Sequence, residues 1–231
     1  MKPPISGLYP IRNPIFSNGV YLITDRKVFG IDHEEITDLA IKGGAGIIQL
    51  REKEMPKDEI LKVALRLREI TKRYGALLII NDYVDTAKDS NADGVHLGQK
   101  DLPIEDARKM LGPDRIIGIS THSLNEAVDA QSRGADYIGL GPIFPTETKE
   151  TDPPIGTKII RKVKENVNIP IVAIGGITLN NIDEVIEAGA DAVAVISAIA
   201  GSGDITKMVR RFIEEIVGAR HAVPLPYTRQ G

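Results

Sequence analysis

A chain of 231 residues with a net charge of -3 and no cysteine can bury one substantial core, and these figures already exclude several function classes. The charge gives no reason to expect nucleic acid or an anionic membrane as partner, and zero cysteine rules out disulfides, thiolate metal centres and a cysteine nucleophile. The N-terminus, with Pro3, Pro4, Pro10 and Pro14, has no signal-type apolar block, and no uncharged run could span a bilayer, so a soluble cytoplasmic protein acting on small partners is expected.

Residues 1–18 carry no motif and read as an N-terminal extension, after which an apolar run at 20–23 opens an alternation of strands and helices. A helix is expected over 33–43. The second strand, over 46–53, ends in Gln49-Leu50-Arg51-Glu52-Lys53. Side chains alternate along a strand, so Gln49, Arg51 and Lys53 share one side, where two cations beside Ile47 and Ile48 call for a negative partner. Pairing with surface carboxylates is the plain alternative. From 57 to 73, Ile60, Val63, Ala64, Leu67, Ile70 and Thr71 follow the spacing of a one-sided helix, with Lys62, Arg66 and Glu69 on its wet face.

Further strands are expected at 77–80, 116–119 and 169–174, and further helices at 82–90, 103–111, 124–133, 156–166, 179–188 and 205–217. The remaining strands follow one repeated signature: Gly44-Ala45-Gly46, Asn91-Ala92-Asp93, Gly134-Ala135-Asp136 and Gly189-Ala190-Asp191. Its leading Gly or Asn suits the left-handed end of a helix. Eight strands, too continuously apolar for a one-sided sheet, predict a single-domain α/β fold, the TIM (β/α)8 barrel, over residues 19–217. An open doubly wound sheet is the alternative. Residues 218–231, with Pro224 and Pro226, read as a C-terminal tail expected to be mobile.

Barrel active sites lie at the C-terminal ends of the strands, so the candidate site can be read in order. Gln49, Arg51 and Lys53 follow strand two, Asn81 and Asp82 strand three, His96 and Asp101 strand four, and Ser120 and His122 strand five. Asp82 and Asp101 each precede a helix, and capping explains either one alone. As a pair on neighbouring strands they can converge on Mg²⁺, which favours one or two carboxylates plus phosphate oxygens and water. His96 is expected to pack or hydrogen-bond inside the barrel.

Strand six leads into a long aperiodic stretch, 141–154, which reads as a lid carrying Thr146, Thr148 and Lys149; an exposed polar loop is the plain alternative. Gly175-Gly176 and Thr178 follow strand seven, as a tight turn and a helix cap or as a phosphate cradle, with Ile196 and Ser197 after strand eight. The rim therefore offers a cationic subsite and a backbone-amide subsite, suited to two small phosphorylated substrates.

Seven segments also match, in order, the motifs of the thiamine-phosphate synthases, which the chain resembles from about residue 21 to 212. They are Gln49-Leu50-Arg51-Glu52-Lys53, Ile80-Asn81-Asp82, the stretch 94–101 from Gly94-Val95-His96 to Lys100-Asp101, Gly118-Ile119-Ser120-Thr121-His122-Ser123, 139–149 with Gly141-Pro142 and Lys149, Ala173-Ile174-Gly175-Gly176-Ile177-Thr178, and Val195-Ile196-Ser197. The resemblance implies a transferase joining 4-amino-2-methyl-5-pyrimidinylmethyl diphosphate to a 4-methyl-5-(2-hydroxyethyl)thiazole phosphate. It also implies roles. Arg51, Lys53, Asn81 and Lys149 would hold the diphosphate, Asp82 and Asp101 the Mg²⁺ cofactor, and Gln49 and Ser120 would contact the pyrimidine side or its leaving group. Thr146 and Thr148 would border the substrates, and Gly176, Ile196 and Ser197 would meet the thiazole phosphate.

The related thiazole tautomerases share Ser120-Thr121-His122-Ser123 and the Gly-Gly turn, and would use His122 for proton transfer. A non-catalytic ligand sensor of the thiamine pathway is the other alternative. Lys53, Asn81, Asp82, Asp101 and Lys149 together favour the synthase. Nothing in the sequence indicates an oligomeric state.

Overall fold

The computed structural model describes residue 16 and residues 18–146 and 153–222. Eight short strands, β1 (Val20–Thr24), β2 (Ile47–Leu50), β3 (Leu77–Asn81), β4 (Gly94–Leu97), β5 (Ile116–Thr121), β6 (Tyr137–Leu140), β7 (Ile171–Ile174) and β8 (Ala192–Val195), pair in parallel and in sequence order. Pairing of β8 with β1 closes the ring, so the fold is a TIM barrel and the open-sheet alternative falls.

Alternation along each strand sorts the apolar residues into two cores. Leu22, Ile48, Leu78, Val95, Ile117 and Ile138 face outward to the helices, while Tyr21, Ile47, Ile79, Tyr137, Val172 and Ala194 fill the interior. This two-sided burial is why the strands read as continuous apolar runs.

The outer ring comprises α2 (His33–Gly43), α3 (Lys57–Tyr74), α4 (Val84–Asp89), α5 (Ile104–Leu111), α6 (Leu124–Ser132), α7 (Lys158–Lys164), α8 (Ile182–Glu187) and α10 (Ile205–Ala222). In α3 the buried residues are Ile60, Val63, Ala64, Leu67 and Thr71, and Gly75 ends the helix at φ 70 with its amide turned back to Thr71 and Lys72. Two short helices, α1 (Arg26–Phe29) and α9 (Ser197–Ala200), were not expected. Each is a single turn, too short to leave a periodic pattern. Among the described residues no helix is long and apolar enough to cross a membrane.

Several boundaries differ from expectation for local reasons. The second strand stops at Leu50, and beyond it only the Arg51 amide still reaches β1, at Thr24 O 3.3 Å away. Asp82 takes φ 64, which delays α4 to Val84. Thr178 does not cap α8. Instead Asn181 holds the turn, accepting from the Thr178 amide at 2.8 Å and donating to Gly176 O at 3.0 Å. The barrel also widens beyond 19–217: Phe16, 4% exposed, packs into the interior against Tyr137, and α10 runs on to Ala222.

The repeated Ala-Asp signature forms three equivalent latches at the bottom of the barrel. Asp93 accepts from the Leu78 amide of β3 at 2.8 Å and from Arg68 of α3 at 2.6 Å. Asp136 does the same with Ile117 of β5, at 2.7 Å, and Arg108 of α5, at 2.6 Å. Asp191 completes the set with Ile171 of β7, at 2.9 Å, and Lys164 of α7, at 2.6 Å. One carboxylate thus ties the start of a strand to the preceding strand and to the helix that leads into that preceding strand. The first repeat has Gly46 in place of the aspartate.

Candidate active site

The mouth of the barrel opens over the C-terminal strand ends into a cavity lined by both predicted subsites. Gln49, Arg51, Lys53, Asn81, Asp82 and Asp101 lie along one part of its wall, and Ser120, Thr146, Gly176, Ile196 and Ser197 along the rest. His96 and His122 line it too. Thr148 and Lys149 lie outside the described residues, as does the middle of the expected lid.

The cationic side is built on the loop after β2. Arg51 pairs with Asp25, whose carboxylate also caps α1 by accepting from the Lys27 and Val28 amides. Glu52 points away from the cavity and organises the loop. Its Oε1 accepts from the Lys53 and Glu54 amides at 2.7 and 2.8 Å, and its Oε2 from Arg26 at 3.1 Å and His33 at 3.3 Å. Burial opposes the charge on Glu52, but these donors outweigh it and bring its carboxyl down to about 2. Lys53 and Arg51 are thereby held on the same side although the strand ends before them.

Lys53 reaches Asp82 across the rim. Asp101 does not act as a helix cap; its Oδ2 accepts from the Gly98 amide at 2.7 Å. Burial pushes the Asp101 carboxyl up, and the adjacent Asp82 carboxylate adds to the rise against the pull of the Gly98 amide and Lys53. Two carboxylates therefore crowd one another beside the cationic loop. No group of three or more His, Cys, Asp or Glu suited to a metal occurs among the described residues. A two-carboxylate donor set fits Mg²⁺ that takes its other ligands from a diphosphate and water.

The amide side is formed by the Gly175-Gly176 turn and the start of α9. Gly175 and Gly176 take φ 98 and 61, which an ordinary residue adopts only with strain, and a β-carbon on Gly176 would meet Pro145 O at 2.4 Å. The loop after β6 is clasped to this turn by the Ile143 amide on Ile174 O, at 2.8 Å, and the Phe144 amide on Gly175 O, at 3.1 Å. No Lys or Arg occurs between Ile174 and Lys207.

His96 behaves as expected, bonding inside the barrel: Nδ1 to the Tyr137 hydroxyl and Nε2 to Ser120 Oγ, both at 2.9 Å. His122 is held by Glu126, which accepts from its amide at 2.7 Å and lies 3.1 Å from Nδ1. Sequence reasoning missed Asp25, Tyr21 and Tyr137. A signal for Tyr137 was available in Gly118, a glycine inside a strand, which commonly marks a close approach. Here a β-carbon on Gly118 would lie 2.0 Å from the Tyr137 ring.

Fold and rim together define a barrel whose mouth suits phosphorylated ligands. A family model described as thiamine monophosphate synthase matches residues 20–199. The thiamine-phosphate synthase of Shouchella clausii is 50% identical over 188 residues, covering 80% of this chain and 90% of that protein. That of Pyrococcus horikoshii is 45% identical over 204 residues, covering 86% and 96%. The solved structure of thiamine phosphate pyrophosphorylase from Pyrococcus furiosus superposes with a TM-score of 0.82 at 40% identity, covering 90% of this chain and 99% of that one. The chain belongs to the thiamine monophosphate synthase family.

Proposed function

We propose that this chain is a transferase of thiamine biosynthesis that joins 4-amino-2-methyl-5-pyrimidinylmethyl diphosphate to 4-methyl-5-(2-phosphooxyethyl)thiazole, releasing diphosphate and forming thiamine phosphate. The observation that carries this reading is the gathering of Arg51, Lys53, Asn81, Asp82 and Asp101 on one wall of a cavity that is lined elsewhere by the Gly175-Gly176 turn after β7 and by Ser197 at the start of α9.

Arg51, Lys53, Asn81 and Lys149 bind the diphosphate and neutralise the charge that grows on it as the bond to the pyrimidine methylene breaks. The ring-stabilised carbocation left behind is captured by the thiazole nitrogen, so no protein nucleophile is required. Asp82 and Asp101 would hold Mg²⁺, which would supply further electrostatic stabilisation of the leaving group. Gln49 and Ser120 orient the pyrimidine, while Gly176, Ile196 and Ser197 hold the thiazole phosphate near attack distance. Thr146 and Thr148 border the substrates, and the loop that carries Lys149 excludes water that would trap the cation. We propose a cytoplasmic location, with which the absence of cysteine is compatible.

The test is the purified protein with both phosphorylated substrates and Mg²⁺, followed for thiamine phosphate and diphosphate. Both products are expected in equal amounts. Isomerisation of a thiazole without diphosphate release would support the tautomerase instead, and neither reaction would support the sensor.

A further inference from the structure

Five side chains below the mouth form an unbroken hydrogen-bonded line. Gln49 Nε2 donates to the Tyr21 hydroxyl at 2.8 Å, the Tyr21 and Tyr137 hydroxyls share a bond of 2.7 Å, and His96 continues from Tyr137 to Ser120 at 2.9 Å on each nitrogen. Both ends line the cavity, and the second amide terminus of Gln49 makes no hydrogen bond among the described residues. The line has been given room. A β-carbon on Gly118 would fall 2.4 Å from the Tyr137 hydroxyl, and one on Gly139 would fall 3.0 Å from His96 Cε1.

Burial pushes both tyrosine hydroxyls up, so each keeps its proton and contributes one hydrogen to the line. A neutral imidazole also contributes one, donating through one nitrogen and accepting through the other. Each bond then needs one hydrogen, and the order is all or none. When Gln49 donates to Tyr21, Tyr21 donates to Tyr137, Tyr137 to Nδ1, and Nε2–H to Ser120. The Ser120 hydrogen is then available to a ligand, and Gln49 presents its carbonyl. Turning the Gln49 amide over reverses every step, so Gln49 presents NH₂ and Ser120 presents a lone pair.

We propose that Tyr21, Tyr137 and His96 are positioning residues that couple Gln49 to Ser120, so that the pocket always offers a ligand one donor and one acceptor. This rests on the pyrimidine side of the proposed reaction. An aminopyrimidine matches such a pair, since its exocyclic amino group donates and its ring nitrogen accepts. A 4-methoxy analogue has only acceptors on offer and needs two donors. It leaves one protein group unmatched in either direction of the line.

The experiment uses the full chain and compares KM for the aminopyrimidine diphosphate with the inhibition constant of its 4-methoxy analogue, in wild type, Tyr137→Phe, Tyr21→Phe and the double variant. Phenylalanine keeps the ring and interrupts the line, which frees Gln49 and Ser120 to turn independently. Preference for the amino compound is expected to fall about tenfold in either single variant, the scale of one mismatched hydrogen bond. The double variant should lose no more than either single one, because the line is already broken. KM for the thiazole phosphate and inhibition by inorganic diphosphate should be unchanged. Preserved preference in the single variants, additive losses, or equal weakening of all ligands would overturn the coupling; should Tyr137→Phe not fold, Tyr21→Phe carries the same test. Failure of the wild type to form thiamine phosphate would instead overturn the functional reading.

Discussion

Aspartates at the two ends of the barrel face opposite circumstances. At the bottom, Asp93, Asp136 and Asp191 each accept a strand amide and a cation from the adjoining helix. At the mouth, Asp82 and Asp101 crowd one another, and Asp101 is pushed up by burial and by Asp82. A carboxylate that holds a strand amide and a helix cation together contributes to stability. Asp82 and Asp101 also have partners, Lys53 and the Gly98 amide, but they face each other in a cavity, where a cation would relieve their mutual repulsion.

The strongest test of that contrast is at the mouth. Asp82→Asn and Asp101→Asn should each lower turnover by about 10²-fold or more, the scale of one lost preorganised electrostatic contact, while thermal stability changes little. Full activity in EDTA, or wild-type rates in both variants, would remove the metal site. At the bottom the pattern should invert. Asp191→Ala leaves the Ile171 amide and Lys164 without their acceptor and should cost about 1–3 kcal/mol in a denaturant titration. Turnover per folded molecule should stay at the wild-type level, and a selective loss of turnover would blur the two classes.

Glu52 sharpens the comparison, because it sits at the mouth yet is satisfied like the bottom aspartates, with a side chain 8% exposed. Its carboxyl is depressed to about 2, so its contribution is fully present above the ordinary carboxylate range and is lost as pH falls through about 2. Glu52→Gln should therefore cost about 1 kcal/mol at neutral pH and flatten the fall in stability on acidification. An unchanged acid limb would mean that other carboxylates carry it. The smallest effect is expected at Ser197. Ser197→Ala removes a hydroxyl and keeps the amide, so binding of the thiazole phosphate should weaken by only about a fewfold. The unphosphorylated alcohol should bind much more weakly to either protein, and equal titration heats for alcohol and phosphate would move this subsite elsewhere on the rim.

The barrel was legible because its pattern is local and repeated. Apolar runs of strand length alternate with one-sided helices such as α3, and a closed ring follows from how many there are and how completely they are buried. The rim positions of Gln49, Asn81, Ser120 and Ser197 could be read for the same reason, since each lies at or just beyond a strand end. Strand alternation predicts that Arg51 and Lys53 share one side, but the strand stops at Leu50. What holds that loop is the Glu52 carboxylate and its four donors.

By itself the sequence determined the period, the order of the elements and the residue types delivered to each strand end, because these depend on neighbours along the chain. Only the tertiary structure decided which of those groups meet. Asp25, just past β1, finds Arg51, just past β2, Tyr21 finds Tyr137 over 116 positions, and three Ala-Asp repeats that resemble helix ends become latches between strands. Such pairings follow from ring closure and barrel register, which bring distant strands within hydrogen-bond reach and which no local pattern encodes.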